Sequence, residues 1–439
     1  MRTNVLIIGG GGREHALGWK LSQSKRCGDL YFAPGNGGTA SLGKNLDWQV
    51  ERIDTKLADQ IDYFCRKNKV SLIIIGPEDP LAAGLTDRLL KTPGAKERRI
   101  FGPTAEAAKL EADKAWAKQL MRGCSIPTAD AKTFTDHKAA RAYCAARELP
   151  VVVKASGLAK GKGVIVCSDA DEAVAAVDTI MKDKTFGDAG ATVVVEERLV
   201  GQEVSILAMV DGKSIYVLEP AQDHKPVGEG DTGPNTGGMG AYTPTPIIDD
   251  KTMHLIEAEV LVPIVDALRR SEIDYRGVLY AGLMLTAGGP KVLEFNCRFG
   301  DPETQPLMMR LKGDLLDLIE ATCDGELDRI QIDWDRRHCT SVVMASAGYP
   351  GDYPKALPIT GIEEAEADPD VKVFHGGTAI KHGELVTAGG RVLSVCALAN
   401  SIEEAQAKAN AACAKIHFDG AHYRKDIGSR VLKTKPATV

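Results

Sequence analysis

Residues 291–305, KVLEFNCRFGDPETQ, set an acid, an amide and a guanidinium at alternate positions: Glu294, Asn296 and Arg298. Val292, Leu293 and Phe295 are strand formers, and the preceding TAGGP (286–290) is a turn, so the stretch is expected to begin as a strand. Alternation then places Glu294 and Asn296 on one face and Leu293 and Phe295 on the other. A carboxylate and an amide oxygen at a strand end form a hard oxygen site. Mg²⁺ suits such a site, because it takes one or two carboxylates and completes its shell with water and substrate phosphates. Arg298, Asp301 and Glu303 then crowd one short loop with charge. Taken alone, the stretch is also compatible with a solvated strand end closed by an ion pair.

Three further segments carry chemistry. Gly9, Gly10, Gly11 and Gly12 lie between a first strand and a helix expected to begin near Arg13 or Glu14. Backbone N–H groups at such a helix start can cradle a phosphate. The dinucleotide fingerprint fails, because Glu14 or His15 stands at the third glycine and the next strand, LYFAPGN, ends without a ribose-binding acid. What remains is a site for one phosphate, as of a sugar phosphate, or a tight turn without a ligand. ASGLAKGKG (155–163) is no Walker A loop, since no Ser or Thr follows Lys162 and a strand comes next. Strand, glycine loop and strand make a flap whose amides, with Lys160 and Lys162, can close over phosphates while Lys154 reaches them as a point charge. A plain hairpin is the alternative. The long polar loop DHKPVGEGDTGPNTGGMGAY (223–242) begins with Asp223, His224 and Lys225, which together could hold a small zwitterion. TVVVEE (192–197) is a strand ending in two acids and says little alone.

The elements that must position these residues follow from pattern. Apolar strands at Val5–Ile8, Leu30–Ala33, Leu72–Ile75 and Arg99–Phe101 alternate with helical segments, which points to a parallel sheet with helices on both faces. One helix is expected from about Ala105 to Arg122. A small α+β unit follows, with strands Val151–Lys154, Val164–Cys167 and Thr192–Glu196 and helices near 137–148 and 170–182. Residues 193–330 suggest a mixed sheet with helices near 250–270 and 313–325. Strands near 341–346, 371–380, 384–388 and 391–398 close the chain around a helix at Ser401–Ile416, capped by Asn400 or Ser401.

At 439 residues and 44% apolar content the chain exceeds one ordinary core. Its formal charge of -6 is dispersed, which excludes general binding to nucleic acid. No apolar run approaches the roughly 20 residues of a membrane span, and the first strand lacks the layout of a signal peptide. Ten cysteines without C-x-x-C or zinc spacing read as reduced, buried thiols of a cytoplasmic protein.

Together these segments resemble the ATP-grasp ligases. More closely, the chain resembles the phosphoribosylamine–glycine ligase family, through GGREHA (11–16), APGNGGTA (33–40), GPEDPLAAG (76–84), IFGPT (100–104), GLAKGKGV (157–164), QDHK (222–225), DTGPNTGGMGAY (231–242), LYAGLM (279–284), EFNCRFGDPETQP (294–306), GYPGDY (348–353), FHGGT (374–378) and RKDIG (424–428). They occur in family order along nearly the whole chain, which resembles the stand-alone enzyme and not the multifunctional fusion. The resemblance implies an N-terminal doubly wound α/β domain (1–103), a central ATP-grasp domain (104–126 and 193–329), a flap subdomain (127–192) and a small C-terminal mixed-sheet domain (330–439). It implies ligation of glycine to 5-phosphoribosylamine through glycyl phosphate, with ATP and Mg²⁺ or Mn²⁺. Glu294 and Asn296 would hold the metal. Lys114, Lys154, Gly157, Gly161, Lys162, Gly163, Glu196, Glu197, Leu199 and Glu203 would bind ATP. Gly9, Gly11, Gly12, Asn36, Gly37, Pro77, Glu78, Asp223, Lys225 and Arg298 would bind the other substrates. Arg298, Lys154 and Asp301 would act in catalysis. A monomer without nucleic-acid or membrane partners is expected. The alternatives are another ATP-grasp ligase or carboxylase, or a nucleotide-binding regulator without turnover. Gly10, Ser156, Lys160 and Pro226 depart from the family pattern, Ser156 standing where an Asp is usual. The strand Ala281–Leu285 brings no second metal carboxylate.

Overall fold

The computed structural model describes residues 2–48, 50, 53–159 and 161–433, so Lys160 lies outside the described residues. The N-terminal sheet has five strands in the order Lys44–Asn45, Cys27–Pro34, Thr3–Gly9, Val70–Ile75, Arg99–Phe101, and every pair is parallel. Alternate residues of its central strand enter different cores. Val5 and Ile7 pack with Leu17 and Leu21 of the helix Gly12–Ser22, while Leu6 and Ile8 pack with Leu57 and Ile61 of the helix Thr55–Lys67. The doubly wound arrangement expected from the apolar strands is therefore present. Strand order reverses about Thr3–Gly9, so the crevice at its carboxyl end, between Gly9–Gly11 and Pro77–Glu78, is where such sheets take ligands.

The single helix expected at 105–122 is two. Ala105–Ala112 ends at Asp113, whose φ of -138° and ψ of 93° are not helical, and Lys114–Gly123 starts there. By contrast 250–270 runs on as one helical stretch through a π turn at Glu257–Leu261. The central sheet, ordered Ile215–Val217, Gln202–Asp211, Arg276–Thr286, Gly289–Asn296, pairs antiparallel, and a parallel bridge from Thr128 to Val292 makes it mixed. Val204, Ile206, Ala208 and Val210 face one core and Leu207 and Met209 the other.

Pairing jumps from Gly282–Glu294 to Leu283–Val292, leaving Leu293 as an extra residue. This bulge overturns strict alternation: Val292 and Phe295 face the core, and Leu293 is left outside it.

The flap is an antiparallel sheet, Ala131–Phe134, Val193–Glu197, Val151–Ala155, Val164–Cys167, covered by the helices His137–Ala145 and Ala170–Val177. Its buried core draws only on residues between Phe134 and Val195. The C-terminal sheet is small and antiparallel in every pair, so the expected mixed sheet is refined to an antiparallel one. It borrows Gln222–Asp223 and Gly240–Thr243 from before residue 330, ahead of His338–Ala345, Arg391–Ala399 and Val371–His375. The stretch 223–242 is thus not a bare loop, because Pro226–Gly228 and Thr232–Asn235 pair as a ribbon within it. The expected strand 371–380 is interrupted at Gly376 and Gly377, with Thr378–Lys381 pairing separately to Glu384–Thr387. Ser401 caps the helix Ile402–Cys413 through Glu404 N. All ten cysteines are free, and eight are buried.

A sheet with its own core can open without disturbing its neighbours. Amides of 151–155 and 164–167 are expected to exchange roughly tenfold or more faster than those of 204–210 and 278–283. Equal protection in native-state hydrogen exchange would show that flap and central sheet open as one unit.

Candidate active site

One cavity of about 1040 Å³ lies where the flap loop, the strand Gly289–Asn296, the helix Lys114–Gly123, the glycine turn and the loop 349–355 meet. That volume is at the upper end for small-molecule sites.

On the flap side, Lys114 and Lys118 stand one turn apart and both line the cavity. The Lys114 ammonium donates to Gly157 O at 3.2 Å, and among the described residues it has no ion pair. Lys118 donates to Thr128 Oγ1 at 2.6 Å and pairs with Glu196 at 3.2 Å. Burial lowers both lysines, Lys118 to about 8. Sequence reasoning missed Lys118, although the spacing KAWAK on a helix signals it. Lys154, expected beside the phosphates, lies just behind this wall. Its ammonium is held by Glu196 at 2.9 Å and Leu293 O at 3.0 Å, and it is absent from the cavity wall. Glu196 does face the cavity, as the shared counter-ion of two lysines.

Glu197, Leu199 and Glu203 are not in the wall. Glu197 accepts from Asp130 N at 3.0 Å and pairs with Lys291 at 3.0 Å. Glu203 pairs with Lys225 at 2.8 Å, and Leu199 is half-buried. Gly161, Lys162 and Gly163 line the cavity. Lys162 donates to Pro350 O at 3.1 Å across it. Gly157 serves packing instead, since a Cβ there would lie 2.7 Å from Ala189 Cα.

Glu294 and Asn296 both line the cavity. Among the described residues no cation pairs with Glu294, while Asn296 Oδ1 accepts from Arg298 at 3.3 Å. No cluster of three His, Cys, Asp or Glu side chains among the described residues could hold a metal. An unmatched carboxylate beside an amide oxygen fits a divalent cation whose remaining ligands are water and phosphate oxygens.

Arg298 is clamped between Glu78 at 3.2 Å and Glu111 at 3.0 Å. Burial works against its charge, but the two carboxylates outweigh burial and raise its pKa. Burial likewise pushes Glu78 up, and Arg298 and Arg13 overcome it, holding the carboxyl at about 2. Glu111, which also accepts from Cys297 N at 2.8 Å, has no motif around it and was not foreseen.

The glycine turn is not the bare phosphate cradle expected. Glu14 takes the Gly11 N–H at 2.6 Å, and Asp301 takes the Arg13 N–H at 3.4 Å. Gly9, Gly11, Pro77 and Glu78 line the cavity, whereas Gly12, Asn36 and Gly37 do not. The Asn36 amide donates to Gly10 O at 3.0 Å and His375 O at 2.7 Å. Gly37 N donates to Thr378 Oγ1 at 3.1 Å. These two residues dock the turn onto the C-terminal strands, and Gly12 packs on Gln305.

Asp301 faces the cavity with Arg391 3.5 Å away, an arginine from a distant strand that no local pattern reveals. Asp223 and Lys225 also face it, 3.2 Å apart. Burial, aided by Glu303 and Glu203 and opposed by Lys225, pushes Asp223 up to about 6. His224 turns away and is buried against Gly428 N.

Family models for phosphoribosylglycinamide synthetase match in order: the N domain at residues 3–111, the ATP-grasp (A) domain at 112–304 and the C domain at 339–430. The chain is 50% identical to phosphoribosylamine–glycine ligase of Rhodopirellula baltica, over 99% of each chain. It is 50% identical to the trifunctional purine biosynthetic protein adenosine-3 of Gallus gallus, over 98% of this chain and 42% of that one. A crystal structure of phosphoribosylamine–glycine ligase from Thermotoga maritima is 32% identical, with a TM-score of 0.82 over 97% of this chain and 100% of that one. A biotin carboxylase of Campylobacter jejuni, 13% identical at a TM-score of 0.72 over 99% of this chain and 96% of that one, shares the fold alone. The chain belongs to the phosphoribosylglycinamide synthetase family.

Proposed function

We propose that the chain joins glycine to 5-phosphoribosylamine at the expense of ATP, giving glycinamide ribonucleotide, ADP and phosphate in purine biosynthesis. The observation that carries this reading is the unmatched pair in one cavity, the Lys114 ammonium and the Glu294 carboxylate under a glycine flap, in a chain of this family. A glycine carboxylate oxygen attacks the γ-phosphorus as its bond to ADP breaks. The amine of phosphoribosylamine then attacks the acyl carbon, the C–N bond forms, phosphate leaves and the amine loses a proton.

Such phosphoryl transfer needs positioning and charge neutralisation more than covalent help. Lys114 and Lys118 neutralise nucleotide phosphates in a site where low dielectric strengthens each electrostatic interaction. The flap residues Gly161, Lys162 and Gly163 cover them and exclude water from the acyl phosphate. Glu294 and Asn296 hold a divalent cation, Mg²⁺ or Mn²⁺, which when bound supplies further charge neutralisation at the phosphates. Lys154 acts indirectly, by fixing Glu196. Arg298 faces the glycine carboxylate, oriented by Glu78 and Glu111. Gly9, Gly11, Pro77 and Glu78 receive phosphoribosylamine, and the carboxylates Glu14, Glu78 and Asp301 there suit its amine and hydroxyls. The deciding assay follows ADP with glycine and fresh phosphoribosylamine omitted in turn. ADP formation that ignores both omissions overturns the reading.

Glu294→Gln keeps the side chain's shape and removes the charge. Its ADP formation is expected to fall more than about 100-fold with an unchanged melting temperature. Near-normal turnover at saturating Mg²⁺ would remove Glu294 from the metal site.

Glu78 makes stability sensitive to acid. Its folded pKa of about 2 lies below the ordinary 4.5, so its contribution is complete above pH 4.5 and lost as pH falls toward 2. Of roughly 3 kcal/mol, about 2 should disappear between pH 5 and 2.5. Urea unfolding of Glu78→Gln is expected to show a correspondingly flatter acid limb. A limb as steep as that of the unaltered chain would place the titrating group elsewhere.

A further inference from the structure

The first turn of a helix leaves N–H groups that the helix itself cannot satisfy. In Lys114–Gly123 three of them find acceptors on Ser156 or on the capping residue Asp113. Lys114 N donates to Ser156 O at 2.9 Å. Ala115 N donates to Ser156 Oγ at 2.9 Å, and Trp116 N to Asp113 Oδ1 at 3.1 Å. The Ser156 hydroxyl in turn donates to Asp113 Oδ1 at 2.8 Å. Ser156 is 5% exposed and is absent from the cavity wall. It is also the first residue after the flap strand Val151–Ala155, anchored there by Ser156 N donating to Thr192 O at 2.9 Å. One residue further, Gly157 O receives the Lys114 ammonium.

Asp113 and Ser156 are 43 residues apart in sequence and meet at the Ser156 hydroxyl. That hydroxyl accepts from one amide while donating to one carboxylate. An unprotonated acid at position 156 could accept from Ala115 N but could not donate to Asp113.

We propose that Ser156 is a positioning residue for the Lys114 ammonium, coupling the position of the flap to the phosphate-binding end of the helix. This rests on the reading of Lys114 as a nucleotide phosphate ligand. When the flap moves, Ser156 carries with it the acceptors of Lys114 N and Ala115 N, and Gly157 carries the acceptor of the ammonium. Flap closure and placement of the Lys114 charge are therefore one motion.

The test measures kcat and KM for ATP and for glycine in Ser156→Ala, Ser156→Thr, Lys114→Met and the Ser156→Ala/Lys114→Met double variant. For Ser156→Ala, kcat/KM for ATP should fall roughly 10- to 100-fold, with KM for glycine within about twofold of normal. Ser156→Thr, which keeps the hydroxyl, should recover to within about threefold. In the Lys114→Met background, adding Ser156→Ala should cost less than about twofold, because the residue acts through Lys114. A loss carried undiminished into that background overturns the coupling and leaves Lys114 as a ligand. Normal ATP kinetics in Lys114→Met overturns the assignment of Lys114 itself, and the coupling with it. Should the alanine variant not fold, Ser156→Cys, which fills the same space with a weaker hydrogen-bonding group, carries the same expectations.

Discussion

Burying the Arg298 guanidinium is the constraint around which this site is arranged. A buried charge persists only with partners, and removing one from such a pair costs about 3–5 kcal/mol. The partners of Arg298 come from different parts of the chain. Glu78 follows the fourth strand of the N-terminal sheet, Glu111 lies near the end of a helix, and Asn296 ends the strand Gly289–Asn296 two residues before Arg298. Holding one cation thus fixes the crevice of the parallel sheet against the end of the strand Gly289–Asn296. The same carboxylates aim the guanidinium into the cavity while keeping it ionised.

Against that background the unmatched charges gain meaning. Lys118 and Lys154 share Glu196, Lys225 lies between Asp223 and Glu203, and Arg13 pairs with Glu14. Lys114 and Glu294 have no such partner among the described residues, although both line the same wall. Glu303 in the same wall also lacks a cation among the described residues, but its carboxylate is held by Tyr280 and Ser205, whereas Lys114 and Glu294 leave a cation and an anion facing the cavity. A functional reading has to rest on such site residues and not on the fold, which hosts other chemistry elsewhere.

Local pattern made the parallel sheet, the flap hairpin, the capped C-terminal helix and the strand carrying Glu294 and Asn296 legible, because each depends on periodicity or on turn residues close in sequence. What escaped depends on residues far apart. The helix at 105–122 breaks because Asp113 leaves the helical register, and its carboxylate accepts from Ser156 as well as from Trp116 N. No residue near Asp113 announces that partner. Leu293 left the core face because a bulge shifts pairing with Gly282 and Leu283. The ion pair of Lys154 with Glu196 on the paired strand is likewise invisible to local pattern. Glu14 was missed at the glycine turn for the opposite reason. Its side chain folds back to accept from the Gly11 amide that the motif seemed to leave free.

The flap's independence and its attachment are two sides of one design. A separate core lets the flap sheet move as a body, but a body joined only by flexible chain would carry no information to the phosphates. The attachment at Ser156 supplies what mobility alone lacks, since it lends the flap's backbone oxygen and hydroxyl to the helix start. That helix start owes its dipole and its free amides to the break at Asp113. A continuous helix through 105–122 would satisfy those amides internally and leave the flap nothing to hold. The kink that sequence periodicity does not anticipate is therefore the feature that lets the flap and Lys114 share hydrogen bonds.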